Sequence, residues 1–247
     1  MDIRFWGDGK RSVPMGIVDR VLRQLGDVAE TGVLFLQAAG ETDQEIHLSR
    51  GRSVGCASAA DEWLLARRLE GTGLLRPEDI KLLCGEDVPL HEAVLTSGLV
   101  GAGPLGRLQA ERFRDNFHFA CVTPWQTVEF LRLGCLAEAA SLGGEDPSAL
   151  LVYVAAWRRE IGEVLTRWRT APAVRAVSTL DPRGISGEAS WVLAQMTGFT
   201  RLDEVLATSP IERYRTLAVL ARLSADGSVC FEDEDWIGAP EPTPPWI

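Results

Sequence analysis

Lysine is almost missing from this sequence: Lys10 and Lys81 stand against 23 arginines. Acids outnumber basic residues by 35 to 25, for a net charge of −10. That balance counts against a nucleic-acid or anionic-membrane surface, where a basic face meets phosphate. No apolar run approaches the roughly 20 residues of a membrane-spanning helix. The opening residues, MDIRFWGDGKR, have no apolar stretch of the kind a secretory leader needs. Cysteine is scarce and unpatterned. Cys56, Cys84, Cys121, Cys135 and Cys230 are odd in number, widely spaced and set in apolar phrases, as expected of buried, reduced thiols in a cytoplasmic protein. With no CxxC pair and three histidines, no structural zinc site and no cofactor is expected.

What is present is the composition of an ordinary globular protein, 46% hydrophobic and 24% charged in 247 residues. That length holds one large or two small domains. The clearest local pattern runs from Thr31 to Ala57 and reads as strand, turn, strand, turn, strand. Val33, Phe35, Ile46, Leu48 and Val54 supply half-buried strand positions, and Arg50-Gly51-Arg52 supplies a tight polar turn.

Around this unit the spacing predicts helices. One covers 14–25, opened by Pro14, with Ile17, Val21, Leu22 and Leu25 on one face. Another runs from Asp61 to Leu69 and stops at the glycines of 71–73. A third starts at Pro77 with Glu78 and Asp79 in its first turn, where the helix dipole favours acids. Two more are expected near 89–97 and 104–117, then a short closing strand at 119–122 and a helix over 125–140. Residues 142–148 (LGGEDPS) read as a linker. Beyond it one long helix is expected at 148–169, a loop at 179–187, and helices at 188–197, 201–207 and 210–225. A strand at 228–231 precedes a proline-rich tail, 236–247.

Several motifs touch on chemistry. Gly101, Gly103 and Gly106 match GxGxxG, but the segment before them reads as helix and turn, so a glycine-rich helix connection is the expectation. Residues 7–12 miss the phosphate-loop pattern, because Arg4 and Arg11 stand where Gly and Ser or Thr are needed. His47, His91 and His118 show no metal spacing. The stretch RLQAERFRDNFHF brings Arg107, Arg112 and Arg114 together with Phe113 and Phe117 at i, i+4. The phenylalanine face reads first as core, with the arginines opposite in solvent. Because arginine and aromatic residues are common anchors of protein interfaces, the stretch is also the candidate partner surface. Trp246, in the PPW tail, is a second candidate as a short polyproline recognition segment.

The phrases Thr31-Gly32-Val33-Leu34, Arg50-Gly51-Arg52, Gly73-Leu74-Leu75-Arg76-Pro77-Glu78-Asp79 and Ser97-Gly98-Leu99-Val100, with the order of elements over 13–141, resemble the PATAN domain. This is the N-terminal module of PatA-type response regulators and of delta-proteobacterial signalling proteins. Residues 186–231 resemble a small winged-helix unit. The resemblance implies an α+β fold. A small antiparallel sheet with a helical insert, at 1–141, is followed by the linker 142–148 and by a mostly helical, winged-helix-like domain at 149–235.

It further implies a non-enzymatic signalling adaptor that works by protein–protein interaction. The expected partner is a small Ras-like GTPase, its roadblock-type regulator, or a response regulator, in motility or cell polarity. The chain has no receiver domain with a phosphoacceptor aspartate. The alternative is a transcriptional regulator that binds DNA through the winged helix. Residues 148–247 count against it, with 10 arginines diluted by 13 acids.

Overall fold

The computed structural model describes residues 3–6, 13–14, 16–37, 44–58, 61–84, 88–123, 125–135, 144–152, 154–168, 173–177, 186–196, 198–209 and 211–232. The chain divides into two compact units, Met1–Ala156 and Trp157–Ile247. Both are α+β with antiparallel sheets.

In the first unit the strands are β1 (Ile3–Trp6), β2 (Gly32–Gln37), β3 (Gln44–Ser49), β4 (Arg52–Ser58) and β5 (Thr127–Arg132). They form one sheet in the order β1-β5-β2-β3-β4. The alternation in β3 works as read: Gln44, Ile46 and Leu48 are buried while Glu45, His47 and Ser49 are half-exposed. The turn between β3 and β4 takes positive φ at both central residues, 49° at Arg50 and 75° at Gly51. Two-residue hairpins of this hand need that geometry, and glycine adopts it without strain. Helix α1 (Ile17–Asp27) buries Ile17, Val18, Val21, Leu22 and Leu25.

Between β4 and β5 the chain leaves the sheet and builds four helices. These are α2 (Asp61–Gly71), α3 (Pro77–Leu83), α4 (Leu90–Ser97) and α5 (Ala102–Val122). Leu65 and Leu69 of α2, Ile80 and Leu83 of α3, Leu90, Ala93 and Val94 of α4, and Leu105 and Leu108 of α5 share one apolar cluster. Pro77 opens α3 at its first turn, and Asp79 accepts a hydrogen bond from the Arg76 backbone N–H, so the expected start of this helix is the observed one.

Two expectations here are overturned together. Residues 119–122, read as a closing strand, are the last turn of α5, and the closing strand is β5, inside the stretch read as a helix over 125–140. Phe119, Ala120, Cys121 and Val122 are all buried, so periodicity gave no guide to their geometry. In β5, Val128 and Phe130 face inward and Leu131 outward, a period-2 pattern. The short strand β1 was not anticipated from its four residues.

The expected linker is fastened where it is described. Glu145 and Ser53 exchange backbone hydrogen bonds of 2.8 and 2.9 Å, and the Arg52 guanidinium donates to the Gly144 carbonyl. Asp146 caps the short helix α6 (Pro147–Leu150) through the Ser148 N–H. The long helix expected at 148–169 is therefore two, α6 and α7 (Val154–Trp168).

The second unit carries β6 (Ala173–Ala176), α8 (Gly187–Ala194), β7 (Phe199–Arg201), α9 (Leu202–Thr208), α10 (Arg213–Ala225) and β8 (Val229–Glu232). Its sheet runs β7-β6-β8. Strands β6 and β7 are additions to the sequence reading; the helices and β8 fall where spacing put them. Trp157 stacks on Tyr214 with ring centroids 4.2 Å apart. Trp191 is half-buried. The cysteines divide: Cys56 and Cys121 are buried, while Cys84 and Cys135 are exposed, contrary to the expectation of burial. The loop expected at 179–187 lies largely outside the described residues, and the tail 236–247 wholly so.

Gly32 is the closest approach in the sheet. A Cβ there would sit 2.2 Å from the Leu131 carbonyl oxygen and 2.7 Å from the Phe130 ring. Gly32→Ala should therefore cost about 3 kcal/mol through overpacking against backbone. Gly106, inside α5 with open space at its Cβ, is the contrast. Gly106→Ala should gain about 0.5–1 kcal/mol from helix propensity. Urea unfolding of both variants checks the pair.

Candidate functional site

The arginine and phenylalanine stretch nominated by the sequence lies on α5, and the helix sorts it into two halves. Phe113 is 8% exposed and Phe117 is fully buried, their ring centroids 6.2 Å apart. At i, i+4 they form the inner stripe of the helix and are not available to a partner. Arg107 and Arg114 are exposed and Arg112 is half-buried. The Arg114 Nε–H donates to Glu145 Oε1 at 3.0 Å. Of the nominated residues, the arginines reach the surface and the phenylalanines do not. Trp246 lies outside the described residues.

Between the phenylalanines, α5 holds a turn of buried polar residues. Asp115 is 3.1 Å from the Arg68 guanidinium of α2, and both side chains are largely shielded from water. The Asn116 Nδ2 donates to the Cys56 carbonyl of β4 at 3.1 Å. The Gln44 Nε2, from β3, donates to the Asn116 carbonyl at 3.1 Å. One helical turn thus touches the helical insert and two neighbouring strands. A buried amide or carboxylate left without partners costs several kcal/mol, so these contacts fix the helix in register. Asp115 and Asn116 were not singled out in the sequence. Their signal was position, since polar residues flanked by Phe113, Phe117 and Phe119 on adjoining helix positions cannot all face water.

His118 follows in the same turn. Burial pushes its imidazole below the ordinary histidine value, against the opposing pull of a hydrogen bond to the Leu150 backbone and the charge of Asp115. At the far end of β5, Arg132 forms a two-pronged pair with Glu30, and that hydrogen bond holds the Glu30 carboxyl below its ordinary value.

The other motifs resolve simply. Gly101 precedes α5 as its cap residue, Gly103 and Gly106 lie within that helix, and helix α4 comes before them. The preceding strand that a dinucleotide site requires is replaced by a helix. Residues 7–12 lie outside the described residues. His47 contacts Glu45 at 3.0 Å and His91 lies 3.7 Å from Glu62. Among the described residues no group of three or more His, Cys, Asp or Glu is placed to hold a metal ion. None of their helices is long and apolar enough to cross a membrane.

In the second unit, the arginines that a DNA reader would use on α10 are engaged within the unit. Arg213 is 7% exposed. Arg215 pairs with Glu188 and Glu212, and Arg222 pairs with Glu160 of α7. Comparison of the chain with protein-family models, with curated proteins and with solved structures finds no match.

The buried pair predicts a non-additive outcome. Asp115→Asn leaves the Arg68 charge uncompensated and should cost about 3 kcal/mol. Arg68→Met combined with Asp115→Leu should cost clearly less than the sum of the single changes, in a double-mutant cycle by urea unfolding.

His118 predicts a pH dependence of definite sign. Its folded pKa lies below the unfolded value of 6.5, so the unfolded chain takes the proton first as pH falls. Its contribution is complete above 6.5 and is lost as pH drops from there toward the folded value. His118→Gln should flatten that part of the stability profile between pH 8 and pH 5.5, measured as the urea midpoint.

Proposed function

We propose that this chain is a cytoplasmic signalling adaptor that acts by protein–protein binding, without chemistry of its own. The observation that carries the reading is the helical insert. The chain leaves the sheet after β4, closes four helices around a separate apolar cluster, and returns as β5 between β1 and β2. Such an insert adds a surface to the sheet without opening the sheet's core. It accords with the resemblance of residues 13–141 to the PATAN domain. The favoured partner is accordingly a small Ras-like GTPase, its roadblock-type regulator, or a response regulator, in motility or cell polarity. Toward a GTPase, such a module would act by ordering the partner's switch segments. Arg107 and Arg114, on the outer side of α5, belong to the surface offered to it.

The DNA-binding alternative ranks second. Winged-helix readers present unpaired arginines to phosphate, whereas Arg215 and Arg222 are held by carboxylates here and Arg213 is buried.

The test is affinity capture from native cytoplasm with the full chain as bait, read by mass spectrometry. A Ras-like GTPase, its regulator or a response regulator should be enriched. Failure to enrich any of these, together with genomic DNA binding that falls steeply between two salt concentrations, would replace this reading with the alternative.

A further inference from the structure

Residues 144–151, which lead into α7, are fastened to elements far from them in sequence. Gly144 lies so close to β4 that a Cβ there would stand 3.0 Å from Arg52 Cβ and 3.1 Å from Val54 Cγ1. Its φ is 57°, so glycine alone allows this approach. The Arg52 guanidinium then holds the Gly144 carbonyl through Nε at 3.0 Å and Nη2 at 2.6 Å. Glu145 pairs with Ser53 as a one-residue addition to β4, and its carboxylate accepts the Arg114 Nε–H at 3.0 Å. Helix α6 follows, packed on α1 with Pro147 and Leu150 buried. His118 of α5 closes the set with a hydrogen bond to the Leu150 backbone.

These ties differ in kind. The Arg114 and Glu145 side chains are 56% and 34% exposed, and ion pairs in such contact with water hold weakly. His118 is only 9% exposed and holds the segment from beneath. Helix α5 cannot readily carry His118 out to water, because Asp115 and Asn116 bind it to α2 and β4 just beside that position. Water reaches the imidazole when the segment above it lifts.

The charged groups acting on His118 are Asp115 and Arg114 of its own helix and Glu145 of the segment. Asp115 and Glu145 favour the proton, Arg114 opposes it, and burial outweighs them. On the neighbouring elements, Arg52 of β4 is turned to the Gly144 carbonyl and Asp146 caps α6. Arg20, Arg23 and Asp27 of α1 are exposed, and Asp19 is half-buried.

We infer that residues 144–151 form a proton-sensitive clasp that lifts from α5 and β4 as a unit while the sheet and the helical insert stay folded. Lifting parts Arg52 from Gly144 and Arg114 from Glu145, and uncovers the edge of β4 at Ser53. The clasp stands apart from the adaptor reading, although Arg114 belongs to the surface which that reading gives to a partner. Acid favours the lifted state, because the docked imidazole resists the proton and the lifted one takes it near the ordinary value of 6.5. At pH 5.5 a histidine in water is protonated about ten to one, so the lifted population should rise by up to about tenfold.

The test is hydrogen exchange by mass spectrometry on the full chain at pH 7.5 and pH 5.5, corrected for intrinsic exchange rates. Peptides over 144–152 should lose protection at pH 5.5 while β2, β5 and α2 keep theirs. His118→Gln should remove the difference between the two pH values. Gly144→Ala should open the clasp at pH 7.5 by steric clash alone. Protection over 144–152 that ignores pH, or that falls together with β2 and β5, would overturn the inference. So would a pH difference that survives His118→Gln, or full protection of the segment in Gly144→Ala. The two variants act on different ties, so if one fails to fold, the other and the wild-type comparison decide.

Discussion

The first unit depends on one turn of one helix. At Asp115 and Asn116, α5 is tied to α2 through Arg68, to β4 through the Cys56 carbonyl, and to β3 through Gln44. These ties join residues 47, 60 and 72 positions apart in sequence. The constraint is topological in origin. The chain exits the sheet at its edge strand β4 and must re-enter near the middle, as β5 between β1 and β2. Helix α5 is the last element before β5, so its rotation and register decide where β5 begins. Apolar packing of Phe113, Phe117 and Phe119 supplies most of the attraction but little angular preference, since it is non-directional. Hydrogen bonds to a buried carboxylate and amide are directional, and an unmade one is expensive. The polar turn selects among the ways the aromatic stripe could pack.

Local signals explain which parts of this arrangement were legible in the sequence. The hairpin β3–β4 was readable because Ile46 and Leu48 alternate with polar residues and Gly51 sits where φ must be positive. Helix α3 was readable from Pro77, Glu78 and Asp79, each placed by a rule that acts within one turn. The end of α5 was not. Phe119 to Val122 is apolar on every side, and burial on all faces erases the period that separates strand from helix. A different ambiguity misled the reading of β5: Val128, Leu131, Leu133 and Leu136 fit helical spacing over 125–140, while the fold buries Val128 and Phe130 and leaves Leu131 outside. Strand β1, four residues long, owes its existence to pairing with β5, and β6 and β7 likewise exist through their neighbours.

The candidate site shows the same division. Phenylalanines at i, i+4 identified an inner stripe correctly in spacing, but only packing decides that Phe113 and Phe117 leave the surface entirely. Arg68 and Asp115 are 47 positions apart, and no local pattern announces such a pair. The exposed leucines of the insert were hidden for the opposite reason. In sequence, Leu82 and Leu95 look like any helical leucines; that α3 and α4 already fill their core with other residues emerges only once the helices are assembled. Polar residues turned inward fix the frame, while Leu82 and Leu95 stay outside a core that other residues of the same helices fill.

The most direct test of this account follows hydrogen exchange along the full chain in wild type and in Asn116→Ala. Asn116→Ala removes the bond to the Cys56 carbonyl but leaves the Arg68–Asp115 pair and the Gln44 bond to the Asn116 backbone carbonyl. If the polar turn fixes the register of α5, this change should release protection beyond α5, in β4 of the hairpin and in β5. Loss of protection confined to the two turns of α5 around residue 116, with β4 and β5 unchanged, would contradict it.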